Sequence, residues 1–355
     1  MDSIFINKYS KEEWIFGKKK ETLNLILDQE YGFRNKAADE AKLEYQVVED
    51  KVVDDIHIKA CTMKYMDLTM RFYLYMPNDN KVHKTFLLLL HEYAEDKSGN
   101  DLVNGYKNIY LCPIKEAVDR GYIIAMMPTR EIAPDGMDFR IRRKRDIFTT
   151  INEVRYENDW GTLQAWSWGL SKVMDYLETL PNVDKDNVAV IGHSRGGKTA
   201  LLTGAQDERF KLVVSSCSGQ SGAAISRNRI EGGETLRIIT TMASYWFAPY
   251  YFDYADHPEL LPFDQHQLLG LIAPRYLYVF SASEDLNADP ASELLSCRYA
   301  SQYFELFGEK GLIAPENVEL DKSYNEGHIA YHIKTGKHSL ETRDWRMVMD
   351  YFDKI

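Results

Sequence analysis

The segment VAVIGHSRGGKTALLTGA, residues 188–205, constrains this chain more than any other. An apolar run of strand length, 188–191, leads into Gly192-His193-Ser194-Arg195-Gly196, and a stretch containing the small residues Ala200, Gly204 and Ala205 follows at once. On its own such a pentapeptide is only a tight strand-to-helix turn. Between a buried strand and a helix it means more, because a serine at that elbow has a strained backbone and small neighbours let strand and helix approach. The pattern places the Ser194 hydroxyl at the carboxyl end of a sheet. It also places the next amides at a helix amino terminus, suited to stabilising an oxyanion. Both flanking glycines, Gly192 and Gly196, are expected to be needed, since a side chain would collide with the adjoining strand and helix.

The rest of the chain agrees with that element. Apolar runs at 85–90, 122–126, 212–215 and 276–280 alternate with helical stretches, the signature of a parallel sheet covered on both faces. The expected fold class is α/β: an α/β-hydrolase fold, a three-layer sandwich with a mostly parallel central sheet and a lid insertion. Leu163, Trp166, Leu170, Val173, Leu177 and Leu180 form a helical stripe with one buried face, stopped by Pro181. Another helix ends at Arg120-Gly121, where glycine suits a left-handed backbone. Residues 68–75 and 85–90, separated by the turn Pro77-Asn78-Asp79-Asn80, read as a hairpin-like pair. Residues 1–60, with a helical repeat at Leu23, Ile26 and Leu27, read as a cap segment on a main domain of 61–355. Residues 219–270 turn glycine-rich and then aromatic (SYWFAPYYFDY), and read as a lid over the active site. No repeat or linker divides the chain, so one domain with a lid is expected.

Composition removes several classes of function. Hydrophobic residues at 45% and charged residues at 27% are the usage of an ordinary globular protein. A formal net charge of -11 repels phosphate backbones, so nucleic acid is not an expected partner. The longest apolar run, 86–90, is too short to span a bilayer, and no membrane partner is expected. The opening MDSIFINKYSKEEW lacks the pattern of a secretion signal, which makes a cytoplasmic location the expectation. Cys61, Cys112, Cys217 and Cys297 are far apart without CxxC spacing. They read as buried free thiols in a reducing compartment, with no metal, cofactor or disulfide framework implied.

Serine needs a base, and in this chain order the acid comes next and the histidine last. After Ser194 come His257, His266, His328, His332 and His338. The first two fall in the presumed lid, and His266 reads as a structural hydrogen-bonding histidine. His328, His332 and His338 are left. Gly336-Lys337-His338 puts the last in a glycine-containing loop ahead of the terminal helix, where a catalytic histidine should be. The run 276–280 is followed by Ser-Ala-Ser-Glu-Asp, so either Glu284 or Asp285 could orient the imidazole. A second oxyanion donor is expected near His91-Glu92, after the run TFLLLL. Cys217 has no base in its sequence flanks and is a remote candidate nucleophile.

At this point several separated motifs resemble one family. DWGTLQAWSWGLSKVMDYLETLPNVDKDNVAVIGHSRGGKTALLTGAQDERF, LPFDQHQLLGLIAPR, EDLNADP, and GKH followed by DW are similar, in order, to the glucuronoyl esterases of carbohydrate esterase family fifteen. The likeness covers roughly 65–350. It implies a metal-free serine esterase cleaving esters of the carboxyl group of (4-O-methyl)glucuronic acid, with Ser194 as nucleophile and His338 as base. It further implies that Arg195 stabilises the oxyanion through its amide and guanidinium, that Lys198 contacts sugar hydroxyls, and that Glu234 binds the sugar. It favours Asp285 over Glu284 as the acid. The bland reading of Lys198 is a solvated lysine on a first helical turn. The sequence departs from the family at two places. Cys217 stands where many members carry a glutamate as triad acid, and Asn287 where many carry a tryptophan against the uronate. The second change removes a stacking surface. The rival readings are a deacetylase of acetylated sugars and an inactive carbohydrate-binding homologue. The intact serine, base and elbow glycines argue against the latter.

Overall fold

The computed structural model describes residues 3–6, 8–91, 102–136, 146–151, 158–227 and 231–355. Its strands are β1 (Glu44–Val53), β2 (Ile56–Tyr65), β3 (Leu68–Pro77), β4 (His83–Leu90), β5 (Ile123–Pro128), β6 (Val183–His193), β7 (Leu212–Ser216), β8 (Tyr276–Ala282) and β9 (Ile329–Lys334). Among the described residues they form one nine-stranded sheet in the order β1-β2-β3-β5-β4-β6-β7-β8-β9. The pairings β1–β2, β2–β3 and β3–β5 are antiparallel, and those from β5 through β4, β6, β7 and β8 to β9 are parallel.

Strand residues alternate between two cores because successive side chains leave a strand on opposite faces. Leu87, Leu89, Val188, Val190, Val213, Leu277 and Val279 join one core. Phe86, Leu88, Ala189, Ile191, Val214, Tyr278 and Phe280 join the other. The first face is covered by α1 (Lys19–Ile26), α3 (Thr162–Leu177), α4 (Arg195–Gln206), α6 (Gln265–Gly270) and α7 (Pro290–Glu305), the second by α2 (Ile114–Asp119) and α8 (Thr342–Lys354). The short helix α5 (Leu236–Met242) lies in the long connection from β7 to β8. This is the α/β-hydrolase sandwich. Among the described residues no helix is long and apolar enough to cross a membrane.

Four details differ from the sequence reading. β3 and β4 are no hairpin: β5 lies between them, antiparallel to β3 and parallel to β4. The boundary at residue 60 falls inside β2, and both β1 and β2 belong to the sheet, so the segment ahead of the sheet ends at residue 43. β9 (IAYHIK) went unread. The fourth concerns α3, which buries nearly its whole circumference instead of one face. Its polar side chains hydrogen-bond to the segment ahead of β1: Gln164 donates to the Gly32 carbonyl (2.9 Å), Arg34 donates to the Ser167 hydroxyl (2.8 Å) and Lys172 donates to the carbonyl of Asp39 (2.6 Å). Polar groups can be buried this way because each retains a partner.

Candidate active site

The elbow at Ser194 follows from local backbone sterics. Ser194 adopts φ 58 and ψ -123 between β6 and α4, a region that non-glycine residues rarely occupy. The turn is held by the Ser194 amide donating to the Ser216 carbonyl (2.8 Å) and by the amides of Gly197 and Lys198 donating to the Ser194 carbonyl (2.8 and 3.2 Å). The two flanking glycines are not equivalent. A Cβ on Gly192 would lie 2.0 Å from the Gly196 carbonyl oxygen, whereas one on Gly196 would meet only the Leu89 carbonyl oxygen at 3.6 Å, an ordinary contact. The expectation that both were sterically required is corrected for Gly196. Gly192→Ala is therefore expected to lower stability by about 1–3 kcal/mol or more. Gly196→Ala, inside a helix, should leave it unchanged or raise it by up to about 1 kcal/mol. Urea unfolding midpoints of the two variants check this.

A parallel sheet brings every strand's carboxyl end to the same edge. Ser194 follows β6, Asp285 lies beyond β8, and His338 lies beyond β9. Two loops are zipped together there: the Ser283 amide donates to the Lys334 carbonyl and the Glu284 amide to the Gly336 carbonyl, both at 2.9 Å. The His338 Nδ1 to Asp285 Oδ2 separation is 2.5 Å. An ionised carboxylate only accepts, so Nδ1 carries the proton and Nε2 presents its lone pair. The His338 ring packs on that of His193, the residue before the nucleophile, with centroids 4.5 Å apart. His193 is buried and its Nδ1 lies 2.9 Å from the Ser216 hydroxyl. Burial first, and then the neighbouring His338, hold its pKa well below the usual histidine range, so it stays neutral.

The other candidate histidines and the second carboxylate stand in different surroundings. His328 precedes β9, at the opposite end of that strand from His338, with Nδ1 2.7 Å from the Pro274 carbonyl and Nε2 3.0 Å from Glu309. His332 is buried mid-strand, stacked on Phe280 and bonded to the Tyr278 hydroxyl and Asp344. Glu284 is exposed, while Asp285 is buried and is the carboxylate bonded to His338. His266 is buried among Phe5, Tyr299 and Tyr303, and burial pushes its pKa down to about 3. His91 is buried at the end of β4, and Glu92 lies outside the described residues.

Lys198 is not the solvated lysine of the bland reading. It is buried, and its ammonium donates to the carbonyls of Ser218 (2.6 Å) and Gln220 (2.5 Å), with Glu234 Oε2 at 3.8 Å. Burial lowers its pKa. Glu234 is joined to the acid's loop through its amide, which donates to the Asn287 carbonyl (3.0 Å), while Asn287 itself is exposed.

Cys217 Sγ, a carboxylate oxygen of Asp285 and a ring nitrogen of His338 lie within 4.8 Å of one another, the one such group of possible metal-ligand atoms among the described residues. The hydrogen bond between Asp285 and His338 already accounts for two of its three members. The fold thus supplies Cys217 with a neighbouring base that its flanks did not reveal. Burial first, then the charges of Glu293 and Asp285, hold its thiol pKa well above normal, which makes it a poor nucleophile. All four cysteines are buried free thiols.

Sequence reasoning missed the surroundings of Arg195. Its guanidinium pairs with Asp135 and lies over the Trp246 ring, 5.0 Å from the centroid. Asp135 sits in Ala133-Pro134-Asp135-Gly136, which reads as an ordinary turn. It also missed Lys334 and Asp344. Lys334 donates to Asp344 (2.7 Å) and to the Ser339 hydroxyl (3.0 Å), bracing the loop that carries His338.

Comparisons with known proteins place the chain as a whole. A family model for fungal glucuronyl esterases matches residues 116–308. A solved structure of a promiscuous CE15 esterase from the marine bacterial metagenome superposes with a TM-score of 0.84 at 31% identity, covering 98% of this chain and 94% of that one. The chain belongs to the glucuronoyl esterase family, carbohydrate esterase family fifteen. A second solved family member, the glucuronoyl esterase from Solibacter usitatus, gives a TM-score of 0.85 at 30% identity, covering 99% of this chain and 96% of that one. By sequence, Carbohydrate esterase MZ0003 from an unknown prokaryotic organism is 41% identical over 244 residues, 68% of this chain and 55% of that protein. The 4-O-methyl-glucuronoyl methylesterase 1 of Sodiomyces alcalophilus is 38% identical over 131 residues, 35% of this chain and 26% of that protein. The chain thus aligns with about half the length of one curated family member and about a quarter of the other.

Proposed function

We propose that the chain hydrolyses carbohydrate esters, specifically those of a uronic acid carboxyl group, through Ser194, His338 and Asp285. The observation that carries this reading is the hydrogen bond from His338 to Asp285 at the sheet edge that also bears the Ser194 elbow. Ser194 Oγ attacks the ester carbonyl carbon and His338 Nε2 takes its proton. The carbonyl π electrons move to oxygen, where the Arg195 amide and guanidinium stabilise the charge. Collapse restores the carbonyl and breaks the bond to the alcohol, which leaves with the proton from His338. Water then repeats the sequence on the acyl-enzyme, releasing the acid and restoring Ser194. Asp285 keeps Nδ1 protonated and stabilises the imidazolium.

For the sugar, Lys198 and Glu234 form the polar wall, and family membership supports a glucuronate over an acetyl donor. The Lys198 ammonium is fixed by two backbone carbonyls before substrate arrives, which limits the ordering cost of binding, and the Glu234 carboxylate lies 3.8 Å from it. Asn287 offers an amide where a stacking ring would otherwise stand. The test has two parts. A fluorophosphonate probe should form a covalent adduct on Ser194, and its absence at neutral pH would mean a binding protein. Benzyl glucuronate should be turned over with a higher kcat/KM than p-nitrophenyl acetate, and activity confined to acetate would replace the glucuronoyl reading with a deacetylase.

A further inference from the structure

The carboxylate of Asp135 gathers groups from separate parts of the chain. It lies beyond β5 and the short helix Thr129–Ile132, and its side chain is 1% exposed. Oδ2 accepts from Arg195 Nη1, the residue after the nucleophile. Oδ1 accepts from the Tyr245 hydroxyl and from Trp246 Nε1, each at 2.9 Å, both in the connection read as a lid. Trp246 also offers its ring face to the guanidinium.

We propose that Asp135 is a positioning residue that acts on the reaction through Arg195, an inference that rests on the oxyanion role given to Arg195 above. An arginine side chain loses rotamer freedom when its fork is fixed. Here a buried carboxylate and an indole face fix it before substrate binds, so the cation meets the developing charge without reorganisation. Because Tyr245 and Trp246 share the carboxylate, the lid segment and the nucleophile's neighbour are tied to one acceptor. Its two oxygens have separate partners, which lets the two duties be separated experimentally. Asp135→Asn keeps a carbonyl oxygen for Tyr245 and Trp246 but removes the charge that holds Arg195. Asp135→Glu keeps the charge.

The experiment is a double-mutant cycle on the rate of fluorophosphonate labelling of Ser194, repeated with benzyl glucuronate. Asp135→Asn should slow labelling by about 10-fold or more, and lower kcat with KM held within about twofold. In an Arg195→Ala background the same change should cost less than about twofold, because the residue it acts through is gone. Asp135→Glu should recover part of the loss. Equal losses with and without Arg195, or no loss from Asp135→Asn, would overturn the proposal while leaving the proposed function intact. No labelling of the unmodified protein would instead overturn the proposed function, and the role of Asp135 with it.

Discussion

Ser194→Ala and His338→Ala should each lower kcat by about a million-fold, and the double variant should lose no more than either one. The reason is that nucleophile and base are a single device: without the imidazole the hydroxyl keeps its proton, and without the hydroxyl the imidazole has no proton to take. Residual turnover of about 10³–10⁴ over water should persist from oxyanion stabilisation and binding. Folding should be spared, since Ser194 is partly exposed and the His338 side chain is 43% exposed. His332→Ala supplies the contrast. It removes one hydrogen bond from the Tyr278 hydroxyl, which keeps Ser323, and one from Asp344, which keeps Lys334, and it empties a buried ring site, so it should destabilise the fold by about 1–3 kcal/mol. In the folded fraction kcat should be normal. Single-turnover kinetics with urea melts on the same samples measure both effects, and a folded but inactive His332→Ala would show that the base is wrongly assigned.

Asp285→Asn should lower kcat by about 10⁴-fold with little change in KM, and Glu284→Gln should be silent. The asparagine amide can present an N–H to Nδ1, which favours the opposite ring tautomer and moves the proton onto the nitrogen that has to accept one. It also removes the charge that stabilises the imidazolium. Cys217 cannot take over. Its thiol sits beside the pair but is held protonated, chiefly by burial, and offers no charge. Steady-state kinetics across neutral pH check the prediction. Loss of activity in Glu284→Gln with Asp285→Asn unaffected would reassign the acid.

The site was legible in proportion to how local its causes are. Gly192-His193-Ser194-Arg195-Gly196 declares itself because one turn must join a buried strand to a helix, and the constraint is confined to the backbone there. The acid loop was legible as a pair of carboxylates after an apolar run, but their side chains face different surroundings and only the fold separates buried Asp285 from exposed Glu284. The histidines were ambiguous because β9 went unread. The alternation in IAYHIK carried that signal, and with the strand assigned, His328 falls at its amino end and His332 in its middle. Asp135 had no such signal, since a Pro-Asp-Gly turn looks the same whether or not an arginine lies opposite.

By itself, then, the sequence determined the class of fold, five of the six strand runs of the parallel core and the strand-to-helix elbow at Ser194. Backbone sterics and hydrophobic periodicity act over a few residues and leave their mark in spacing. Tertiary structure alone decided that β5 separates β3 from β4, that the polar side of α3 is buried against the segment ahead of β1, and that Asp135 holds Arg195. These depend on partners brought together from distant parts of the chain, and a hydrogen bond to a distant carbonyl or carboxylate imposes no pattern on the residues beside it.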